Sequence, residues 1–177
     1  MKLIKENSHN FEKLYSKFYN TNSFERTLKQ HINTDTKNKS FLSLYHYRKN
    51  VGFAILREAQ GNNLFLRNLE SKYNIILPKN NYVYISLIQK LQVPIKGMIQ
   101  LFVKSLTSLA PSSGGSLFVM SEIRNSNVKS MKAHEKAGFK IISTNNKRLL
   151  SKNGRSLLMW YKNDLVKRCH DSFILKL

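Results

Sequence analysis

The chain has 177 residues, 41% hydrophobic and 11% aromatic, enough apolar material for the core of one domain and too much for an intrinsically disordered chain. Thirty Lys and Arg against ten Asp and Glu give a formal charge of +20, which excludes an acidic scaffold and favours anionic partners. Tracts of tRNA, ribosome or DNA fit such a charge, and so does an anionic cofactor, although the cations are mostly scattered lysines of the kind AT-rich coding gives.

In chain order, Phe11, Leu14, Tyr15 and Phe18 recur with helical spacing, and Phe24, Leu28 and Ile32 predict a second short helix before the polar run 33–40. Residues 41–48 alternate, Lys49-Asn50 punctuates, and 51–57 alternate again, which predicts a strand, a tight turn and a strand. Residues 60–81 carry the apolar Leu64-Phe65-Leu66 and a turn-rich end, without a clear period. A β-branched and aromatic run from Tyr82 to Ile88 predicts a buried strand. Ile99, Phe102, Val103, Leu106 and Ala110 mark a helix stopped by Pro111, and 116–120 form the next strand. A helix over 127–137 follows, closed by Gly138 as a left-handed cap, then a strand from Phe139 and a hairpin around Asn153-Gly154 ending near Tyr161. Hairpins mixed with crossover helices predict a single α+β domain over 1–177 on a mixed sheet.

No segment approaches the roughly 18 apolar residues of a membrane span. The opening residues lack the apolar region of a secretory signal, and the one cysteine, Cys169, excludes an internal disulfide framework. A cytoplasmic location is the expectation. Cys169-His170-Asp171 holds nucleophile-type residues, but adjacent side chains do not converge as a triad must.

The segment richest in chemistry is 127–139. Asn127, Ser130 and His134 fall on one helical face, and Asn127 is the expected N-cap. Asn-x-x-Ser-x-x-x-His-Glu-Lys-x-Gly-Phe, directly after an apolar strand, resembles the strand-5/helix-4 signature of the GNAT superfamily of N-acetyltransferases. The resemblance is strongest over 82–161, with 1–40 as N-terminal helices, 82–139 as an acetyl-CoA-binding unit and 140–161 as a C-terminal hairpin. It implies a GNAT-like acyl-CoA N-acyltransferase fold, a mostly antiparallel central sheet with a splayed strand pair, flanked by helices.

The resemblance also implies acetyl-CoA as co-substrate and direct attack by a primary amine of an acceptor it does not identify, a small molecule or a protein; the charge of +20 allows an anionic carrier such as aminoacyl-tRNA or a ribosomal component. The cofactor's pantetheine arm would pair with backbone near Leu87 and Ile88, and its pyrophosphate would sit on the helix start over Gln92, Lys96, Gly97, Met98 and Ile99. Asn127 and Ser130 would lie on the cofactor side. The phosphate loop departs from the family pattern: Ile95 stands where a glycine belongs, and Pro94 offers no N–H. Either Lys96 supplies a point charge there, or cofactor binding is lost and the chain is a basic module for nucleic acid or ribosome. His134 stands where the family commonly has a tyrosine that serves the leaving thiolate, and a charged imidazole could donate the proton. Glu122, ending the preceding strand, is the expected general base; its alternative is a surface ion pair with Arg124 or a nearby lysine.

Overall fold

The computed structural model describes residues 1–18, 38–60, 63–79, 81–91, 95–109, 117–145 and 154–161. Along them run β1 (Lys2–Glu6), α1 (Ser8–Phe18), β2 (Lys39–His46), β3 (Lys49–Gln60), α2 (Leu64–Tyr73), β4 (Asn81–Lys90), α3 (Met98–Leu109), β5 (Leu117–Arg124), α4 (Val128–Lys136), β6 (Lys140–Asn145) and β7 (Arg155–Tyr161). The strands form one sheet in the order β1-β2-β3-β4-β5-β7-β6, giving an α+β architecture. Contacts within the chain define two compact units, Met1–Glu58 with Ile85–Lys96, and Ala59–Tyr84 with Gly97–Leu177.

In the first unit, β1, β2 and β3 pair antiparallel. α1 begins at Asn7, whose Oδ1 accepts the Asn10 N–H at 2.7 Å. The helical spacing turns Phe11 and Tyr15 onto Phe41, Phe53 and Ile55, and Leu91 completes this aromatic core. The strand β1, before α1, has no counterpart in the sequence reading. Its apolar pair Leu3 and Ile4 is adjacent rather than alternating, and ladder bonds from Lys2 opposite Tyr45 to Glu6 opposite Phe41 hold it. The β2–β3 turn also differs from expectation. Lys49-Asn50 lie inside β3, and Tyr47 and Arg48 make the turn with φ of 45° and 63°, as a two-residue type I′ hairpin requires. The second predicted helix, around Phe24 to Ile32, lies outside the described residues.

The second unit contains α2, which occupies the stretch that showed no clear period. Asn63 caps it, its Oδ1 accepting the Phe65 N–H at 2.8 Å, and Asn74 ends it in the left-handed region at φ 52°. Leu66, Leu69 and Tyr73 are the buried stripe, packed with Ile75, Leu77, Tyr82, Phe118, Met120, Leu157 and Met159. Glu70 pins the exit, accepting the Leu77 N–H at 2.7 Å. β7 lies between β5 and β6, antiparallel to both, with Met120 opposite Met159 and Glu122 opposite Leu157. Alternation along β5 and β7 then gives this part of the sheet two faces. Phe118, Met120, Glu122, Leu157 and Met159 share the face that α2 covers. Val119, Ser121, Ile123 and Trp160 share the other. Residues 146–153 and 162–177, with the first strand and the Asn153 end of the turn of the predicted hairpin and with Cys169-His170-Asp171, lie outside the described residues.

Candidate active site

α4 is defined at both ends by the residues that stood out in the sequence. Asn127 is the N-cap, its Oδ1 accepting the Ser130 N–H at 3.1 Å. At the other end the Gly138 N–H reaches the Glu135 carbonyl at 2.9 Å and the Phe139 N–H reaches the His134 carbonyl at 3.0 Å. These two bonds are a Schellman closure, and Gly138 adopts the φ of +91° that it needs. Its hydrophobic contact is the Phe139 ring, edge-on to His134 at 5.0 Å between centroids. A Cβ on Gly138 would sit 3.3 Å from Trp160, so α4 leaves on the face opposite α2. The asparagine, the glycine and the phenylalanine of the motif are thereby accounted for by capping alone.

His134 is 1% exposed. Its Nδ1 lies 2.9 Å from the Ser130 carbonyl oxygen, a pure acceptor, so the ring proton belongs on Nδ1 and Nε2 carries a lone pair. Nε2 is buried and meets no hydrogen-bond partner among the described residues. Burial pushes the imidazole below its usual value, opposed by the bond to Ser130. A neutral ring with a lone pair at Nε2 is an acceptor, whereas the expected proton donor would have to be charged.

Glu122, on the other face, is anything but unpartnered. Its side chain is 6% exposed, and Oε1 lies 2.6 Å from Lys72 Nζ and 3.4 Å from Arg155 Nη1. Oε2 accepts from the Tyr84 hydroxyl at 3.4 Å. Tyr73 joins them: burial, with the nearby Glu122 charge, pushes its phenol far up. Glu122 is ion-paired, as the alternative reading expected, but the partners are Lys72 and Arg155 rather than Arg124, and the carboxylate is nearly enclosed rather than on the surface. Lys72, Tyr73, Tyr84 and Arg155 come from α2, β4 and β7, and no local pattern joins them to Glu122. His134 and Glu122 therefore belong to opposite faces of one sheet.

The other sequence candidates are placed as follows. Gly97 precedes α3 with φ +70° and accepts the Leu101 N–H at 3.0 Å. The first turn of α3 has no acidic residue, Met98 is buried and Ile99 half-buried. The N–H groups of such a turn lack intrahelical acceptors, which suits an anion. Lys96, Leu87 and Ile88 belong to the first unit, where Lys96 is exposed and Leu87 packs on the aromatic core. Gln92 and Pro94 lie outside the described residues.

The backbone is similar to that of solved acetyltransferases. Aminoglycoside acetyltransferase AAC(6')-Ib in complex with coenzyme A superposes with a TM-score of 0.61 at 14% identity, covering 94% of this chain and 97% of that one. Arabidopsis thaliana NAA60 in complex with acetyl-CoA gives 0.56 at 10% identity, covering 90% and 97%. This is the GNAT acetyltransferase fold. The Bacillus cereus IAA acetyltransferase shares the GNAT architecture as well, with a TM-score of 0.57 at 14% identity over 91% of this chain and 99% of that one. The sequence matches no protein-family profile and no curated protein. Glu122 lies two residues before the end of β5, and His134 is on the next element, α4. No described helix is long and apolar enough to cross a membrane.

Proposed function

We propose that the chain is an N-acetyltransferase, moving an acetyl group from acetyl-CoA to a primary amine by direct attack. The fold likeness to acetyltransferases solved with coenzyme A or acetyl-CoA carries this reading. The residues fit the cofactor in two respects. The start of α3 offers backbone donors behind a glycine and no acidic side chain to repel phosphate. The lone pair of His134 Nε2 is a buried acceptor without a partner among the described residues, and it suits a donor such as a thiol S–H or a pantetheine amide. For Leu87, Ile88, Gln92, Lys96, Asn127 and Ser130 the proposed cofactor contacts rest on the resemblance alone.

Glu122 takes a proton from the acceptor ammonium, so that the amine attacks with a free lone pair. His134, neutral, accepts a hydrogen bond on the cofactor side rather than protonating sulfur. The second amine proton, released as the amide forms, leaves with the thiol. The small-molecule side of the acceptor class is supported by AAC(6')-Ib, solved with coenzyme A and kanamycin; nothing in the fold likeness favours the nucleic-acid module.

Calorimetric titration with acetyl-CoA tests the reading, followed by thiol release with primary amines that include kanamycin. Micromolar binding and amine-dependent thiol release support it. No binding at millimolar acetyl-CoA by folded protein overturns it.

A further inference from the structure

We infer that Lys72 is itself an acceptor: the enzyme acetylates its own Lys72, with Glu122 as the base. This inference rests on the proposed acetyl transfer and names one amine that the site takes. Four observations on the α2 face carry it. Lys72 Nζ is a primary alkylamine, the acceptor group of the proposed reaction, and lies 2.6 Å from Glu122 Oε1. The same nitrogen sits 5.4 Å from the Tyr73 ring centroid, so an aromatic face and a carboxylate together form an ammonium site. The carboxylate is 6% exposed while Lys72 is 42% exposed, so an amine arriving at Oε1 from solvent must displace Lys72, whereas Lys72 is already there. Arg155 also reaches Oε1, at 3.4 Å, but a guanidinium stays protonated and is no nucleophile.

The reaction balances with an acetyl thioester as the only co-reactant. The Lys72 ammonium passes one proton to Glu122 Oε1, and the freed lone pair forms a C–N bond to the thioester carbonyl carbon. The C–S bond breaks with its electron pair on sulfur. The second proton leaves nitrogen as the amide forms and ends on the thiol, and Glu122 returns the first to water. The product amide carries no charge, so Glu122 keeps Arg155 and loses Lys72. Acetylation of Lys72 thereby opens the carboxylate to an external amine.

The experiment incubates the purified full chain with acetyl-CoA and no added acceptor, then follows every lysine by peptide mass mapping. Calorimetry with acetyl-CoA runs on the same preparation. Lys72 is expected to be acetylated at least about tenfold faster than the other lysines, with Glu122→Gln lowering that rate about a hundredfold. Lys72→Arg, which keeps the ion pair, is expected to abolish the fast-labelling fraction in the intact mass. Bound acetyl-CoA with Lys72 labelled no faster than its neighbours overturns this inference alone. Fast labelling that survives Glu122→Gln overturns it too. Absence of acetyl-CoA binding overturns it together with the proposed function.

Discussion

Glu122 and His134 are both nearly enclosed and carried by consecutive elements of one unit, yet the protein surrounds them in opposite ways. The carboxylate has a lysine at 2.6 Å and an arginine at 3.4 Å. The imidazole is kept neutral, with one nitrogen on a backbone carbonyl and the other facing no partner among the described residues. A buried charge is tolerable only when paired, and a buried base without a counter-charge gives up its proton instead. The face under α2 is therefore suited to cationic amines, and the face under α4 to a neutral donor.

The largest expected effect comes from removing the charge on the first face. Glu122→Gln should lower amine acetylation by about 10²- to 10⁴-fold, the usual worth of a general base. Lys72 and Arg155 can turn to water, so stability should change by about 1 kcal/mol or less. Equal activity in the two proteins, measured as thiol release, would reduce Glu122 to an ion-pair residue. On the other face, Gly138→Ala forces a side chain to φ +91° against Trp160 and should cost about 1–2 kcal/mol in urea denaturation. An unchanged midpoint would show that the Schellman closure does not hold His134 in place.

Acid sharpens the contrast further. His134 has its folded-state value below that of the unfolded chain, so below about pH 6.5 the unfolded state binds the extra proton. Stability should be flat for this group above that pH and fall on acidification, by at most about 1.4 kcal/mol per pH unit. His134→Gln should remove that part of the slope in urea titrations between neutral pH and pH 5. The smallest effects belong to the caps: Asn63→Ala and Asn127→Ala should each cost about 1 kcal/mol of stability. Markedly unequal losses would show that one of the two helices leans more on tertiary packing than on its cap.

The sequence was most readable where one element carries its own signals. α4 combines an asparagine cap, a polar face and a Gly-Phe exit within 127–139, and all of these are in place. α2 has caps just as good, Asn63 and Asn74, and a buried stripe of Leu66, Leu69 and Tyr73. It escaped notice because exposed Leu64 and half-buried Phe65 blur that stripe, and an asparagine is a weaker stop signal than a glycine. The site divides the same way. Glu122 and His134 stand out locally by residue type and by their place beside the motif. Lys72, Tyr73, Tyr84 and Arg155 converge on Glu122 only through tertiary structure, across 50 residues in the case of Lys72. Likewise His134 is legible as a residue, but its protonation is decided by the Ser130 carbonyl and by burial, which no spacing reveals.

The place of β7 between β5 and β6 sets an order on how the second unit can be completed during synthesis. Until Arg155–Tyr161 has left the ribosome, β6 has no neighbour and β5 offers one row of backbone groups to any passing strand. Leu157 and Met159, which close the apolar cluster over α2, arrive on that same strand. A nascent chain halted before Arg155 is thus an aggregation hazard with an open core, and the described sheet is complete only when β7 enters between β5 and β6.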